Sequence, residues 1–228
     1  MDSFPFAPFV YTYNATIVLI FGIRSLRTWR VSRNRFSWFF IWVGLGAAAA
    51  FYLYGIPTLL WPERAALHGF LFLLSYFPLF FGVNFALLFA LEAKGLAFLK
   101  RIAAFGVPLL AVLLFFANLS SVPEPRILTG GLISWGMTFP YDILLSVMVC
   151  LVTVLPGILL LSIHAESTQA FLKKIFLASA LIGGGIAGSA IALFDEYPVV
   201  LFWLFLAQFI ALSFLGSIVF LDMLKKGE

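Results

Sequence analysis

The sequence predicts an all-α membrane protein: a seven-transmembrane-helix bundle with its N-terminus outside and its C-terminus in the cytoplasm. Two observations give the fold class. First, 63% of the 228 residues are hydrophobic and only 11% are charged, whereas a soluble domain carries about 25% charged residues. Second, the apolar residues form seven long runs, and a helix needs roughly 20 apolar residues to cross the hydrocarbon core of a bilayer.

The seven runs occupy most of the chain, so we expect a single integral membrane domain over residues 1–228. Uninterrupted apolar runs of this length satisfy their backbone polar groups in lipid only as helices. The predicted spans are Phe4–Ile23, Phe36–Leu60, Ala65–Leu91, Ile102–Asn118, Pro140–Ile163, Ile175–Phe194 and Tyr197–Leu221. We expect the first run to be a retained anchor, because Met1–Pro5 lacks the basic start of a secretory signal.

The basic residues follow alternate spans and thereby predict the orientation. Twelve of the 14 Lys and Arg residues fall on one side of the membrane. They are Arg24, Arg27, Arg30, Arg33, Arg35, Lys94, Lys100, Arg101, Lys173, Lys174, Lys225 and Lys226. Because cytoplasmic loops carry an excess of Lys and Arg, this side is predicted to be cytoplasmic. The net positive charge then belongs to a membrane surface, and no nucleic-acid partner is expected.

Five arginines between the first two predicted spans form the densest basic segment, here called the arginine cluster: Arg24, Arg27, Arg30, Arg33 and Arg35. Such a segment next to a membrane attracts anionic lipid headgroups. The cluster therefore predicts contact with membrane lipids or with an acidic partner protein, and a purely topological role as an anchor is the simpler alternative.

The residues that usually carry chemistry are sparse and scattered. Cys150 is the only cysteine, and His68 and His164 fall on opposite sides of the predicted membrane. All lysines lie at cytoplasmic ends of spans, which excludes a retinal Schiff base in the bundle. No nucleophile, base and orienting group converge in the sequence, as catalysis requires. We therefore expect no enzyme activity, no metal site and no cofactor.

Polar and aromatic residues recur in the outer halves of several predicted spans and form a candidate ligand-binding set. Its members are Tyr13, Asn14, Tyr52, Tyr54, Tyr76, Asn84, Asp142, Trp203 and Gln208. One interpretation is a pocket, open to the outside, for a small or amphiphilic ligand. The alternative is an interfacial aromatic belt with hydrogen bonds between helices.

Two further features bear on packing and on access from outside. The connection Leu119–Phe139 is long for a helix–helix link, and such loops are often functional. Its Ile133 and Trp135 indicate that it lies in the headgroup region or covers the bundle. Small residues at four-residue spacing, as in Gly183–Gly188 and from Gly44 to Ala48, predict close helix contacts.

The layout of seven helices, an external N-terminus, short second and sixth connections and a longer fourth one resembles bacterial seven-helix membrane sensor modules. The resemblance covers nearly the whole chain, particularly Ile41–Gly95 and Lys100–Asp142. Those modules often precede histidine kinase or cyclase domains. The resemblance implies a receptor-like protein of the bacterial inner membrane that binds a small or amphiphilic ligand from outside. Because Glu228 closely follows the last span, we expect it to act through a separate protein, on the cytoplasmic face or within the membrane.

Two other classes of function stay open at this stage. Three helices, a linker helix and three more would suit a small-molecule transporter with parallel repeats, although no charged residue lies near the middle of a span as ion coupling usually requires. The short loops and small-residue ridges would equally suit a non-catalytic subunit of a larger membrane complex.

Overall fold

The computed structural model describes residues 5–137, 139–165, 167–194 and 196–224. Within this part of the chain, seven helical segments are long and apolar enough to cross a membrane. They are Phe6–Ser32, Arg35–Leu60, Ala65–Ala93, Ala97–Ser121, Tyr141–Leu161, Ala170–Leu193 and Pro198–Ile218. The chain is therefore a multi-pass integral membrane protein built as a helical bundle. The predicted start at Phe4 and the basic residues Lys225 and Lys226 lie outside the described residues.

The described residues form nine α-helices and one short hairpin. The helices are α1 (Phe6–Ser32), α2 (Arg35–Leu60), α3 (Ala65–Leu74), α4 (Val83–Ala93), α5 (Ala97–Asn118), α6 (Tyr141–Val152), α7 (Val154–Leu161), α8 (Thr168–Leu193) and α9 (Pro198–Leu224). A π-helical turn at Pro78–Gly82 precedes α4, and a 3-10 turn at Leu119–Ser121 follows α5. The third span thus consists of α3, the π-helical turn and α4, and the fifth consists of α6 and α7.

Helix α1 is longer than the predicted first span, because it continues to Ser32, well past Ile23. Most of the arginine cluster is therefore helical. Arginine is a strong helix former, and neither Gly nor Pro interrupts this stretch. The helix ends at Arg33, whose backbone is left-handed with φ 54° and whose N–H donates to the Trp29 carbonyl at 2.8 Å. Asn34 then caps α2, so the connection between the two spans is short.

Two other helices are longer than their predicted spans because they begin earlier. Helix α5 starts at Ala97 rather than Ile102, and α8 starts at Thr168 rather than Ile175. The Ser167 hydroxyl accepts a hydrogen bond from the backbone at the start of α8, as N-caps do. Hydropathy locates where a helix leaves the lipid, whereas capping residues locate where the helix itself begins.

The third and fifth spans are broken in mid-course by proline. In the third span the helix widens into the π-helical turn at Pro78, which cannot donate a backbone hydrogen bond. In the fifth span Thr153 separates α6 from α7, with φ −120° and ψ −60°. Pro156 follows it, and its ring conflicts with a helical carbonyl four residues earlier. Both breaks place irregular backbone against neighbouring helices.

Close glycine contacts hold the first three spans together, as the small-residue spacing predicts. A Cβ on Gly22 of α1 would lie 3.1 Å from the Cα of Gly44 in α2. On the other side of α2, a Cβ on Gly82 would lie 2.5 Å from the Cα of Gly46. Only residues without a side chain allow backbones to approach this closely. Helix α2 is consequently the packing centre of this half of the bundle.

The long connection between α5 and α6 forms an antiparallel hairpin of β1 (Arg126–Leu128) and β2 (Leu132–Ser134). Arg126 pairs with Ser134, and Leu128 pairs with Leu132. The turn closes through two glycines with positive φ, and the Gly131 carbonyl accepts a hydrogen bond from the Ala7 N–H at 3.0 Å. The hairpin is therefore fixed to the start of α1.

The bundle has two chemically different ends. One, here called the basic end, carries the arginine cluster, Lys94 just after α4, and the basic residues of α5 and α8. At this end the Glu92 carboxylate contacts the Arg35 guanidinium at 2.6 Å and also the Lys100 ammonium. The Lys94 ammonium donates to the Ser162 carbonyl at 3.0 Å. These contacts join the second, third, fourth and fifth spans. The opposite end, which carries the hairpin, is here called the hairpin end.

Candidate functional site

An interior cavity of about 120 Å³ lies between the helices. An apolar cavity of roughly 150 Å³ in another protein accommodates benzene, so this space is large enough for a small organic group. The lining runs along α8 from Leu177 to Ala192, which corresponds to about 22 Å at 1.5 Å per residue. The cavity is therefore a narrow slot parallel to the helices.

Six of the seven spans and the hairpin segment contribute to the walls. From the first three spans come Tyr11, Val18, Phe21, Val43, Ala47, Phe51, Tyr54, Phe72, Leu79 and Val83. The segment after β2 and the fifth span contribute Trp135, Met137, Leu145, Val149 and Thr153. The last two spans contribute Leu177, Ala180, Leu181, Gly184, Gly185, Gly188, Ile191, Ala192, Gln208, Leu212 and Leu215. Helix α5 lies outside this ring.

The slot is apolar along its length, and most of its few polar side-chain groups lie toward the hairpin end. Tyr11, Tyr54 and Trp135 surround it near the hairpin. Near the basic end, the lining residues of α1 are Val18 and Phe21, and neighbouring helices add aliphatic side chains.

Gln208 supplies the most distinctive polar group of the lining. Its side chain is only 5% exposed, and its Oε1 has no hydrogen-bond partner among the described residues. The amide lies beside α8, since a Cβ on Gly188 would be 3.3 Å from its Nε2. A buried carbonyl oxygen without a donor costs about 1–3 kcal/mol. Gln208 thus places an unsatisfied acceptor in the wall of an apolar cavity.

Trp135 closes the cavity at the hairpin end. Its side chain is 3% exposed and stacks on Phe72 with ring centroids 4.4 Å apart. Its Nε1–H donates to the Tyr11 hydroxyl at 3.1 Å, and its ring also lies 5.6 Å from that of Tyr54. Of the two placements considered for this connection, covering the bundle is therefore the one the structure adopts.

The predicted ligand-binding set is divided by the structure. Tyr54 and Gln208 line the cavity. Tyr76 is buried beside it, and its hydroxyl lies 4.0 Å from the sulfur of Met137, a lining residue. Trp203 lies on the outward face of α9, 62% exposed.

The other members of the set take part in helix–helix or local contacts. The Tyr13 hydroxyl lies 3.1 Å from the Ser213 hydroxyl, and Tyr52 contacts Thr16. The Asn84 amide donates to the Ala103 carbonyl at 3.0 Å. Asp142 lies in the first turn of α6, where its carboxylate accepts from the next backbone N–H.

Asn14 is fully buried in the bundle. It is 0% exposed, and neither atom of its amide has a hydrogen-bond partner among the described residues. It does not line the cavity. Its neighbour Tyr13 packs on α9, with its ring 4.3 Å from Phe209, which places Asn14 within the packed part of α1.

The arginine cluster does not form one uniform surface. Arg27, Arg30 and Arg33 are exposed, whereas Arg24 is half-buried. The Arg33 guanidinium lies 4.4 Å from the ring centroid of Trp29, and Arg35 is engaged with Glu92. The part of the cluster that faces outward is thus the last turns of α1.

The two hydrogen-bonded aromatic residues of the lining, Tyr11 and Trp135, lie outside the predicted set. Tyr11 is adjacent to other aromatic residues in sequence, and no periodic signal separates it from an interfacial belt. Trp135 lies in a loop, and only its place among Ile133, Met137 and other apolar residues indicated that it covers the bundle. The contact between them joins positions 124 residues apart, which no local pattern reveals.

No family model, curated protein or solved structure matches the chain. Among the residues that the structure describes, no group of three or more His, Cys, Asp or Glu side chains is arranged to hold a metal ion. The proposed function therefore rests on the cavity.

Proposed function

We propose that this protein is a receptor-like membrane module that binds a small amphiphilic molecule inside the bundle and acts through a separate partner. The observation that carries the proposal is the Gln208 acceptor, buried and without a donor, in the wall of an elongated apolar cavity. Ligand sites are typically apolar with a few polar groups that fix orientation.

The lining supports a ligand with two chemical features. The apolar half favours an alkyl or similarly slender tail, since each buried CH₂ contributes about 0.8 kcal/mol. The acceptor on Gln208 favours a hydroxyl or N–H donor at the head. A ligand with both features satisfies the carbonyl and fills the slot, whereas a pure hydrocarbon leaves the carbonyl unsatisfied.

The direction of the ligand follows from the proposed orientation. With the basic end in the cytoplasm of a bacterial inner membrane, the hairpin end faces outside. The ligand head then lies beneath the hairpin, and its tail points toward the cytoplasmic half. Trp135 is the group that a ligand entering from outside must displace.

The broken fifth span is the proposed connection through which a ligand in the cavity affects the basic end. Thr153 lines the slot at the break between α6 and α7. It packs directly on Gly185 of α8, where a Cβ would collide with its hydroxyl. A ligand that changes this contact changes the angle between α7 and α8. Helix α7 ends and helix α8 begins at the basic end, where the proposed partner binds.

Thermal unfolding of the purified protein with 1-hexanol and n-hexane tests the proposal. We expect 1-hexanol to raise the unfolding temperature more than n-hexane does, because only the alcohol donates to Gln208. In the Gln208→Leu variant the two compounds should act equally. Asn84→Leu, which removes a buried amide outside the cavity, is the matched control and should keep the preference for the alcohol.

Equal effects of alcohol and alkane on the unmodified protein would contradict the proposal, as would a preference that survives in Gln208→Leu. The transporter and complex-subunit alternatives stay predictions. Transport of longer-chain alcohols into proteoliposomes would favour the transporter. A protein that co-purifies in a stoichiometric amount would favour the subunit of a larger membrane complex.

A further inference from the structure

A second cavity, of about 350 Å³, opens at the basic end of the bundle. It lies where α2, α4, α7 and α8 meet, and Phe36 and Phe89 form one wall. Lys173 and Lys174 of α8 form another, together with His164 from the connection between α7 and α8. The interior cavity is adjacent, since Leu177 lines both spaces.

The Lys174 ammonium is held in place by the end of α7. It donates to the carbonyl oxygens of Leu161 at 3.2 Å and Ile163 at 2.9 Å. The Leu161 carbonyl is one of the terminal acceptors that a helix leaves unsatisfied, and Ile163 lies just beyond the end of α7. A lysine has three donor hydrogens, so two bonds fix the group and leave one donor. In the described part of the chain, no carboxylate pairs with this ammonium.

The remainder of the wall is apolar. Leu160 and Leu177 are buried, and the rings of Phe36 and Phe89 cover one side. A fixed cationic group beside an apolar groove between helices suits a phosphate that carries hydrocarbon chains. Basic pockets between transmembrane helices on the cytoplasmic side commonly bind anionic lipid headgroups.

We propose that this cavity is a binding site for an anionic phospholipid, with the phosphate against Lys174 and His164 and an acyl chain along Leu160, Leu177 and Phe89. The site is separate from the arginine cluster, whose outward residues lie on the last turns of α1. It is also distinct from the proposed ligand site in the interior cavity, because the two linings share only Leu177 and Gln208 belongs to the interior cavity alone.

Titration of the purified full-length protein with phosphatidylglycerol, phosphatidylcholine or inorganic phosphate tests this proposal, with the unfolding temperature as the readout. We expect phosphatidylglycerol to stabilise the protein and the other two to have little effect. Lys174→Gln should weaken the apparent affinity for phosphatidylglycerol about fivefold, the ratio that corresponds to ~1 kcal/mol for one basic residue at a membrane surface.

Two further variants separate the site from general charge and from folding. Arg101→Gln removes the same charge from an exposed position at the basic end, outside the cavity, and should leave the affinity unchanged. Ala170→Trp fills the cavity without changing any charge and should abolish the specific stabilisation. It also tests the site should Lys174→Gln fail to fold.

Equal losses in Lys174→Gln and Arg101→Gln would overturn the site, and so would undiminished binding in Ala170→Trp. Equal stabilisation by phosphatidylcholine would show that the net negative charge of the lipid is not recognised, and it would overturn the assignment to an anionic lipid. Stabilisation by inorganic phosphate to the same extent as by phosphatidylglycerol would overturn the lipid assignment in favour of a free phosphate.

Discussion

At the scale of single residues, the hydrogen bond from Trp135 to Tyr11 joins the hairpin segment to α1 inside the bundle. Both side chains are almost inaccessible, so neither polar group can turn to water if the other is removed. The contact closes the hairpin end of the cavity, and its loss should affect both stability and access.

The variant Tyr11→Phe leaves the Trp135 N–H buried without its acceptor. We expect the free energy of unfolding to fall by ~1–3 kcal/mol, the cost of an unsatisfied buried polar group. Denaturation in mixed detergent micelles measures it. Tyr13→Phe is the control: its hydroxyl lies 3.1 Å from Ser213, which also donates to a backbone carbonyl, and Tyr13 is half-buried. A loss of the same size in both variants would show that the Trp135 contact has no special weight.

Residue-level prediction from the sequence depends on the depth of a residue in the membrane. Tyr54 and Gln208 are polar groups in the outer half or middle of spans, and both line the cavity. Trp203 has a comparable depth but points outward, 62% exposed. Depth follows from hydropathy, whereas the direction of a side chain depends on how its helix is rotated against its neighbours.

At the scale of secondary-structure elements, packing between α1 and α2 depends on glycine. A Cβ on Gly44 would lie 2.7 Å from the backbone nitrogen of Gly22. Real side chains do not tolerate such a contact without movement of one helix. Helices α1 and α2 have the most extensive contact in the first half of the bundle. Tyr11 of α1 and Tyr54 of α2 line the cavity.

The variant Gly44→Ala should therefore separate α1 from α2 and lower the free energy of unfolding by ~1–3 kcal/mol, as overpacking does. Gly106→Ala in α5 is the matched control, because a Cβ there would meet its nearest neighbour at 3.9 Å. We expect the control to be neutral or stabilising, since Ala is the better helix former. Equal destabilisation of the two variants, measured by the same micelle denaturation, would contradict this account.

The elements themselves were predictable to different degrees. The seven apolar segments and the close approach of Gly44 and Gly46 followed from composition and spacing, and the structure confirms them. The extension of α1 to Ser32 and the break at Thr153 did not follow. Hydropathy measures transfer into lipid, and it carries no information about helix continuation in water or about the response of neighbouring spans to proline.

At the scale of the whole molecule, the bundle has two ends that differ in charge, and successive spans run between them. The basic end joins four spans through the Glu92 ion pairs and the Lys94 contact. Exposed ion pairs contribute little stability, so their main consequence here is the concentration of charge at one membrane surface. The proposed orientation places that surface in the cytoplasm.

Single-cysteine labelling tests the orientation. In a Cys150→Ser background, Glu63→Cys is in the turn between α2 and α3, and Arg27→Cys is on the last turns of α1. An impermeant maleimide added to intact cells should label the cysteine at 63 alone, and labelling at 27 should require permeabilised cells. Labelling at 27 in intact cells would invert the molecule and place the hairpin inside.

The existence of the interior cavity could not be predicted from the sequence. Its walls are ordinary apolar residues, together with a glutamine that resembles any other polar residue within a span. The space arises from the mutual spacing of six spans, in which glycines at Gly184, Gly185 and Gly188 and the break at Thr153 determine how closely the helices approach. Such spacing depends on the entire packed bundle.

The most direct test of the central claim is a crystal structure with bound 6-bromo-1-hexanol, in which the bromine is located by its anomalous signal. The hydroxyl should lie within hydrogen-bond distance of the Gln208 Oε1, and the bromine should lie among Val18, Phe21 and Leu215, toward the basic end. Bromine only on the lipid-facing surface, or a reversed molecule with its bromine beneath Trp135, would contradict the account.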